Sequence, residues 1–275
     1  MDKKPRRSAR SSKSEEEDPI ESLVGNLSTL KLGRAKRSFV DSKKAGTEDG
    51  LLFDPADYSE GELDEMLDKF FEISAPSKVK RSDGIGWIRV LSSSYEEEGL
   101  GNLEDLENDW EKLKASKKTI NFDAIKEMAI SNWCLGGIWL LFVNTAEEID
   151  TTWEKIARAT VKGKLGTHTK VTPVADTKEG KDLYGAQHVV SVYTKDFTDK
   201  SDVLKVEAAL RRLGLRERIV FKPRVYSSLG VYSQNEWNLR PGIYTSHWDA
   251  RKLAGNIRDI TKGRETYMIN IQDGN

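Results

Sequence analysis

Apolar residues recur at helical spacing in several segments of the chain. Side chains at positions i, i+3, i+4 and i+7 predict amphipathic helices that bury one face. The segments with this spacing are Leu63–Phe71, Leu103–Leu113, Phe122–Ala129, Trp153–Val161 and Val203–Leu213. Asn121 and Asp199 precede two of them and suit the N-cap position, because their side-chain oxygens accept from the first free backbone N–H groups. A last helix is expected at Asp249–Asp259.

Other segments are β-rich or alternate between apolar and polar residues, and they predict strands. These segments are Gly84–Leu91, Ile138–Val143, Val189–Tyr193, Ile219–Phe221, Leu229–Tyr232 and Tyr267–Ile271. Ile138–Val143 is apolar at every position, which is typical of a central strand that is covered on both faces. Pro223 cannot donate to a ladder, so the strand before it is expected at an edge or beside a bulge. The sum predicts an α+β fold, with helices packed on one face of a mostly antiparallel sheet.

The first fifty residues lack a periodic apolar face. They are rich in Ser, Lys, Arg and Glu, and such a composition buries too little surface to offset the entropy of ordering the chain. We therefore expect residues 1–50 to form a disordered charged tail and residues 51–275 to form a single domain. The basic run Lys3-Lys4-Pro5-Arg6-Arg7 in this tail is compatible with a nuclear import signal.

Charge is balanced over the whole chain but not along it. Residues 1–150 carry 22 basic and 31 acidic side chains, whereas residues 151–275 carry 22 basic and 14 acidic ones. The basic half suggests a surface for a polyanion such as RNA, and the alternative is that it pairs with the acidic half inside one fold. A single cysteine, Cys134, forms no internal disulfide, and no apolar run is long enough for a membrane span. We expect the protein in the cytoplasm or the nucleus, with no membrane partner.

The order of elements from Phe122 onwards, with Trp139 in a strand and Trp153 in the helix that follows, resembles the curved sheet of the mRNA cap-binding translation initiation factor. Three further stretches are similar to the uncharacterised basophilic-leukaemia-expressed protein family, which shares that fold. They are Trp153-Glu-Lys-Ile-Ala-Arg-Ala, Ser191-Val-Tyr-Thr-Lys-Asp-Phe and Phe221-Lys-Pro-Arg-Val-Tyr-Ser-Ser-Leu-Gly-Val-Tyr. The resemblance implies a fold like that of the cap-binding factor and a ligand-binding role, and it brings no activity with it.

In cap-binding proteins two aromatic rings sandwich the methylated guanine, a carboxylate reads its edge, and basic groups hold the phosphates. The resemblance places Trp133 at the second aromatic and Tyr95 at the first. Cys134 follows Trp133, where the carboxylate is expected. The resemblance therefore implies binding of RNA or a nucleotide without strict recognition of the methylated cap.

Basic residues near the predicted strands are candidates for phosphate contacts. They are His168, Lys170, Lys195, Arg218, Lys222 and Arg224. The last three share one parity of a strand and would lie on one sheet face, where cations can grip phosphates and tyrosines can stack on bases. The alternative is a solvated strand face with ordinary surface charges.

A second function of a different class is binding to a partner peptide. The helix with Trp110 has acidic residues on its other faces, and a partly buried Trp110 can anchor such a peptide. Catalysis is not expected: Gly163–Lys170 lacks the ending of a phosphate-binding loop, and Cys134 has no local base. The three histidines lack metal-ligand spacing, so neither a metal nor another cofactor is expected.

Overall fold

The computed structural model describes residues 50–96, 101–116, 118–144, 146–178, 180–181, 187–262 and 266–267. Almost all of the expected tail, residues 1–50, lies outside these residues, and the division into tail and domain stays a prediction. Most of the strand expected at Tyr267–Ile271 also lies outside them. No helix in the described part of the chain is long and apolar enough to cross a membrane.

Strands and helices alternate irregularly along the described residues. The strands are β1 Leu51–Phe53, β2 Ile88–Leu91, β3 Gly137–Val143, β4 His168–Val171, β5 His188–Thr194, β6 Ile219–Pro223, β7 Tyr244–Asp249, β8 Ala254–Asp259 and β9 Thr266–Tyr267. The α-helices are α1 Leu63–Ser74, α2 Leu103–Ala115, α3 Phe122–Ser131, α4 Ala146–Val161, α5 Lys200–Arg212 and α6 Arg224–Ser228. Two short 3₁₀ helices lie at Pro55–Asp57 and Arg81–Asp83.

The nine described strands form one sheet in the order β1-β2-β4-β5-β3-β6-β7-β8-β9. Every neighbouring pair is antiparallel except β1 and β2, which are parallel. The structure thus confirms the α+β class and the mostly antiparallel sheet. It also confirms the central strand, because β3 pairs on both sides and is buried at every residue.

One face of this sheet carries the main core together with the helices. On β3 the residues that face the helices are Trp139, Leu141 and Val143, and the register aligns them with apolar residues of β5 and β6. The indole Nε1 of Trp139 donates to the Val203 carbonyl of α5 at 3.0 Å, so the polar atom of this buried ring is satisfied. Trp153 of α4 is buried in the same core. The prediction that Trp139 and Trp153 are core residues is confirmed.

The N-cap predictions are confirmed, and two predicted elements are wrong. Asn121 accepts from Ala124 N at 2.9 Å, and Asp199 accepts from Ser201 N at 2.9 Å. The expected helix at Asp249–Asp259 is instead the turn and second strand of the β7–β8 hairpin, with Leu253 at a positive φ of 50° in the turn. The expected strand at Leu229–Tyr232 is a turn after α6, where Gly230 has a φ of 72°.

The prediction of an edge strand at Ile219–Phe221 is also wrong. β6 lies between β3 and β7 in the interior of the sheet. Pro223 is tolerated there because it is the last residue of β6, beyond the last residue that pairs with β7, Phe221 opposite Tyr244. The predicted strand Gly84–Leu91 is shorter than expected, since its first residues follow a 3₁₀ helix that ends at Gly84 with a φ of 80°.

A buried ion pair joins α5 to β7 behind the sheet. The Arg211 Nε donates to Glu207 Oε1 at 2.8 Å, and the Ser246 hydroxyl donates to the same oxygen at 2.6 Å. The other nitrogens of Arg211 donate to the carbonyl oxygens of Leu215, Glu217 and Ser246. The Glu207 carboxylate occupies the space beside Gly255 where any larger residue would place its Cβ. Both charges are therefore buried with their hydrogen bonds made.

A cationic sheet face as the candidate binding site

The sheet face opposite the helices carries basic side chains. On β3 this face begins with Ile138, which the register aligns with Tyr193 of β5 and Lys222 of β6. On β2 and β4 it carries Arg89 directly opposite Lys170. We call the side chains of Arg89, His168, Lys170, Lys222 and Arg224 the cationic face.

Arg224 reaches the cationic face from the start of α6. Its backbone N–H donates to the Gly136 carbonyl at 2.8 Å, and its side chain lies over Gly136, where an added Cβ would meet Arg224 Cδ at 3.2 Å. Its positive charge contributes to lowering the pKa of His168 and of Lys170. The prediction that Arg218, Lys222 and Arg224 share a strand is wrong, because β6 spans Ile219–Pro223 and contains only Lys222 of the three. Arg224 nevertheless joins the same group of charges.

His168 is held between aromatic rings. Its ring stacks on Tyr193 with centroids 3.9 Å apart, and the Tyr95 ring meets it edge-on at 5.8 Å. Its Nδ1 is 3.1 Å from the Thr167 hydroxyl. Burial, and then the charges of Arg89, Lys170 and Arg224, holds the pKa of His168 well below its usual value. The imidazole is therefore neutral near pH 7, and His168 serves as a polar aromatic wall.

Lys170 is a buried cation with aromatic neighbours. Its ammonium lies 5.8 Å from the centroid of the Trp87 ring and 5.6 Å from that of Tyr193. Burial, followed by the charges of Arg89 and Arg224, lowers the pKa of Lys170 to about 7. No carboxylate is among the causes of this shift. Rings of this kind attract a cation, but they do not neutralise it.

Arg89 completes the group around Lys170. One of its terminal nitrogens donates to the Tyr95 hydroxyl at 3.2 Å, and its Nε is buried without a hydrogen-bond partner among the described residues. In that same part of the chain, Arg89, Lys170 and Arg224 form no ion pair within 4.0 Å. Three basic side chains therefore converge without a counter-charge.

Lys222 is a second buried cation on the same face. Only 1% of it is exposed, and its Nζ has no hydrogen-bond partner within the described ranges. The Tyr232 ring lies over the ammonium with its centroid at 4.6 Å. Burial alone lowers the pKa of Lys222 to about 7, with no contribution from a charged group. Lys222 is thus electrostatically separate from the group around Lys170.

The other predicted site residues lie away from this group or at its margin. Lys195 is exposed and pairs with Glu96 at 3.4 Å. Arg218 lies just before β6, away from Lys222, and its Nε donates to the Thr245 hydroxyl at 3.1 Å. Trp133 is 75% exposed and has a φ of 57°, in the loop that connects α3 to β3. Of the predicted residues, the structure brings together His168, Lys170 and Arg224, with Lys222 on the same face.

The expectation that Trp110 is partly buried is wrong. Only 4% of its side chain is exposed, because Trp237 packs edge-on against it with ring centroids 4.7 Å apart. Trp237 comes from a distant segment that the periodicity of the helix does not reveal. Binding of a partner peptide by this helix stays a prediction, but without an exposed Trp110 as its anchor.

Arg89 is the functional candidate that the sequence interpretation missed. The sequence feature that could have indicated it is a charged residue between Ile88 and Val90 in a short apolar strand. Its position in the alternation of the strand places it on the sheet face away from the core. Cys134 is buried, and burial raises the pKa of its thiol although the charge of Arg224 opposes the shift. A raised pKa disfavours the nucleophilic thiolate. Within the described residues no three His, Cys, Asp or Glu side chains are grouped to hold a metal ion.

Parts of two solved structures are similar to this chain. The complex of C. elegans eIF4E-3 with the 4E-binding protein Mextli matches 36% of this chain and 57% of that chain, with 20% identity and a TM-score of 0.28. Schistosome eIF4E complexed with m7GpppA and 4E-BP matches 34% and 50%, with 19% identity and a TM-score of 0.27. The match thus spans about half the length of these solved chains, and likeness at this level carries no argument on function.

The family match is more specific. The family model described as basophilic leukemia-expressed protein Bles03 matches residues 106–230. This range includes β3 to β6 and four of the five residues of the cationic face. Residues 106–230 are therefore similar to the Bles03 family, as the sequence resemblance predicted.

Proposed function

We propose that this protein is a non-catalytic module that binds a phosphate-bearing ligand, an RNA or a nucleotide, on its cationic face. The observation that carries the proposal is the group of Arg89, Lys170 and Arg224, which lacks a carboxylate among the described residues. Burying a charge without a partner is costly, and in most proteins such groups are paired. A bound anion would supply the missing partner.

Phosphate fits this group better than a single carboxylate does. Guanidinium groups bind phosphate oxygens through two parallel N–H donors, and a lysine adds up to three more donors. Arg89 has a buried Nε without a partner, and Arg224 is half-buried at the margin of the face. The donors therefore outnumber the two oxygens that a carboxylate offers.

Trp133 supplies a surface for stacking a base. A tryptophan that is 75% exposed is unusual, and indole faces bind nucleobases with little regard to sequence. Trp133 stands three residues before Gly136, against which Arg224 packs. Cys134 follows Trp133 and offers no charged acceptor for a guanine edge, which supports binding without strict recognition of the methylated cap.

Fluorescence anisotropy with a labelled single-stranded RNA of about ten nucleotides tests the proposal, because phosphate contacts dominate such binding. We expect Arg224→Ala to weaken binding by about tenfold, the effect of losing one charge-assisted contact. Arg212→Ala is the matched control, since Arg212 is exposed on the opposite side of the sheet in α5. Absence of binding at micromolar RNA and low salt would remove the proposal.

Competition with cap analogues tests the base specificity separately. Methylated cap analogue and unmethylated guanosine triphosphate should displace the labelled RNA at similar concentrations. A site without a carboxylate beside its stacking ring lacks the charged hydrogen bond, worth about 1–3 kcal/mol, that favours the methylated base. A strong preference for the methylated ligand would contradict this part of the proposal.

A further inference from the structure

We infer that the group recognised on the cationic face is a terminal phosphate monoester, as on a mononucleotide or at the 5′ end of RNA. The inference rests on the proposed function and narrows its ligand class. The side chains that carry it are Arg89, His168, Lys170 and Arg224, which we call the phosphate recess.

The first argument is depth. His168 and Lys170 are only 4% and 9% exposed, whereas Arg89 and Arg224 are half-buried. A phosphate within a nucleic acid strand has a sugar on both sides, and both sugars would have to be accommodated if that phosphate is to reach the buried Lys170. A terminal monoester has one ester bond and can enter with its three free oxygens foremost. Depth therefore favours the end of a strand or a mononucleotide.

The second argument is charge. An internal phosphodiester carries one negative charge, whereas a terminal monoester carries about 1.5 to 2 at neutral pH. Guanidinium groups stay protonated in proteins, so Arg89 and Arg224 alone contribute two positive charges. His168 adds none, because burial and its basic neighbours keep it neutral. Lys170, whose pKa is about 7, adds part of a third positive charge. A dianion therefore comes closer to neutralising the recess than a monoanion does.

The third argument is the number of hydrogen bonds. The terminal monoester offers three oxygens that accept strongly. The recess offers the Nε of Arg89, the guanidinium of Arg224 and the ammonium of Lys170, none of which donates to an acceptor in the described residues. The Tyr95 hydroxyl accepts from one terminal nitrogen of Arg89 and leaves the Arg89 Nε without an acceptor among the described residues. Three donor groups thus match three oxygens.

The test uses the full-length protein with labelled 5′-phosphorylated RNA bound to it. One RNA sequence, prepared with a 5′-phosphate and with a 5′-hydroxyl, serves as the unlabelled competitor. We expect the phosphorylated form to bind about tenfold more tightly or better, on the scale of a charge-assisted contact. Adenosine monophosphate and inorganic phosphate are further competitors. Displacement by the monophosphate would assign the recess to mononucleotides as well as RNA ends, which share the monoester.

Variants then assign the preference to the recess. In Lys170→Met the phosphorylated and hydroxyl forms should bind within about twofold of one another, whereas Lys205→Met, an exposed position in α5, should keep the full difference. If Lys170→Met does not fold by circular dichroism, Arg224→Ala at the half-buried margin replaces it.

The outcomes separate the inference from the proposed function. Equal binding of both RNA forms, with binding still weakened in Arg224→Ala, overturns the preference for a monoester and leaves the proposed function standing. A phosphate preference that survives both recess variants also overturns the inference. No binding of any form overturns both.

Discussion

Two groups of buried cations lie on opposite faces of the sheet, and they differ in whether a carboxylate and hydrogen-bond acceptors neutralise their charge. Arg211, on the helix side, has every nitrogen engaged by Glu207, Ser246 or a backbone carbonyl. Lys170 and Lys222, on the other face, have no carboxylate among the causes of their pKa shifts. Both groups are nearly inaccessible, so exposure alone does not distinguish them.

The difference indicates what each group is for. A polar network with all its hydrogen bonds made fixes the packing of α5 against β7 and leaves nothing for a ligand. A buried cation without an acceptor costs stability, and such exceptions call for an explanation in terms of function. The first group is therefore structural, and the second is where we expect a ligand.

The largest expected effect comes from breaking the structural pair. Glu207→Ala leaves the Arg211 guanidinium buried without its carboxylate, and we expect the free energy of unfolding to fall by about 3–5 kcal/mol. Urea denaturation measures this change. Glu217→Ala is the control, because the Glu217 side chain is exposed and should change the same quantity by less than about 0.5 kcal/mol. A similar loss of stability in Glu207→Ala and Glu217→Ala would show that the buried pair does not stabilise the fold.

A smaller effect of opposite sign is expected at Lys222. The pKa of this lysine falls from 10.5 to about 7 on folding. Between these values the unfolded chain binds the proton and the folded chain does not, so the free energy of unfolding rises with pH in this window. Below about pH 7 both states are protonated and the full cost of burying the charge remains.

Lys222→Met isolates this contribution. Near pH 7 we expect the variant to be more stable than the original chain by a few kcal/mol, and this difference should shrink by up to about 1.4 kcal/mol per pH unit as pH rises above 7. Urea denaturation at several pH values gives both numbers. A difference that does not change with pH would mean that the Lys222 ammonium is fully compensated, and the contrast with Arg211 would disappear.

The third prediction concerns salt. If the recess binds phosphate, affinity for RNA should fall steeply as salt rises, since each neutralised phosphate releases counterions. Arg224→Ala should reduce the slope of log affinity against log salt by about one unit, and Arg212→Ala should leave the slope unchanged. An unchanged slope in Arg224→Ala would show that this guanidinium does not contact phosphate.

Local patterns predicted the elements that local physics determines. Caps such as Asn121 and the apolar run of β3 depend on neighbours in the chain, and both are confirmed. The hairpin at Asp249–Asp259 was mistaken for a helix because its turn is made by Leu253 at positive φ, not by the Gly or Asn that usually indicates such a turn.

The candidate site depends on long-range pairing, which periodicity does not encode. Arg89 faces Lys170 only because β2 pairs with β4, although three helices and a strand separate them along the chain. Trp110 is buried by Trp237, far along the chain. Residue type still indicated Lys170, Lys222 and Arg224 as basic candidates near strands, but not that the two lysines would be buried.

The smallest effect on stability is expected at Trp133, the exposed counterpart of the buried cations. Its side chain buries little, so Trp133→Ala should change the free energy of unfolding by less than about 0.5 kcal/mol. Its φ of 57° is unfavourable for a residue with a side chain, so Trp133→Gly should be as stable as the original chain or more stable.

Both variants, Trp133→Ala and Trp133→Gly, should nevertheless weaken RNA binding by about 1–3 kcal/mol, the contribution of one stacked base. Trp133→Phe should retain most of the binding free energy. Anisotropy and urea denaturation on the same samples separate the two effects. Unchanged binding in Trp133→Ala would limit the site to the phosphate recess, and a large loss of stability would make Trp133 structural.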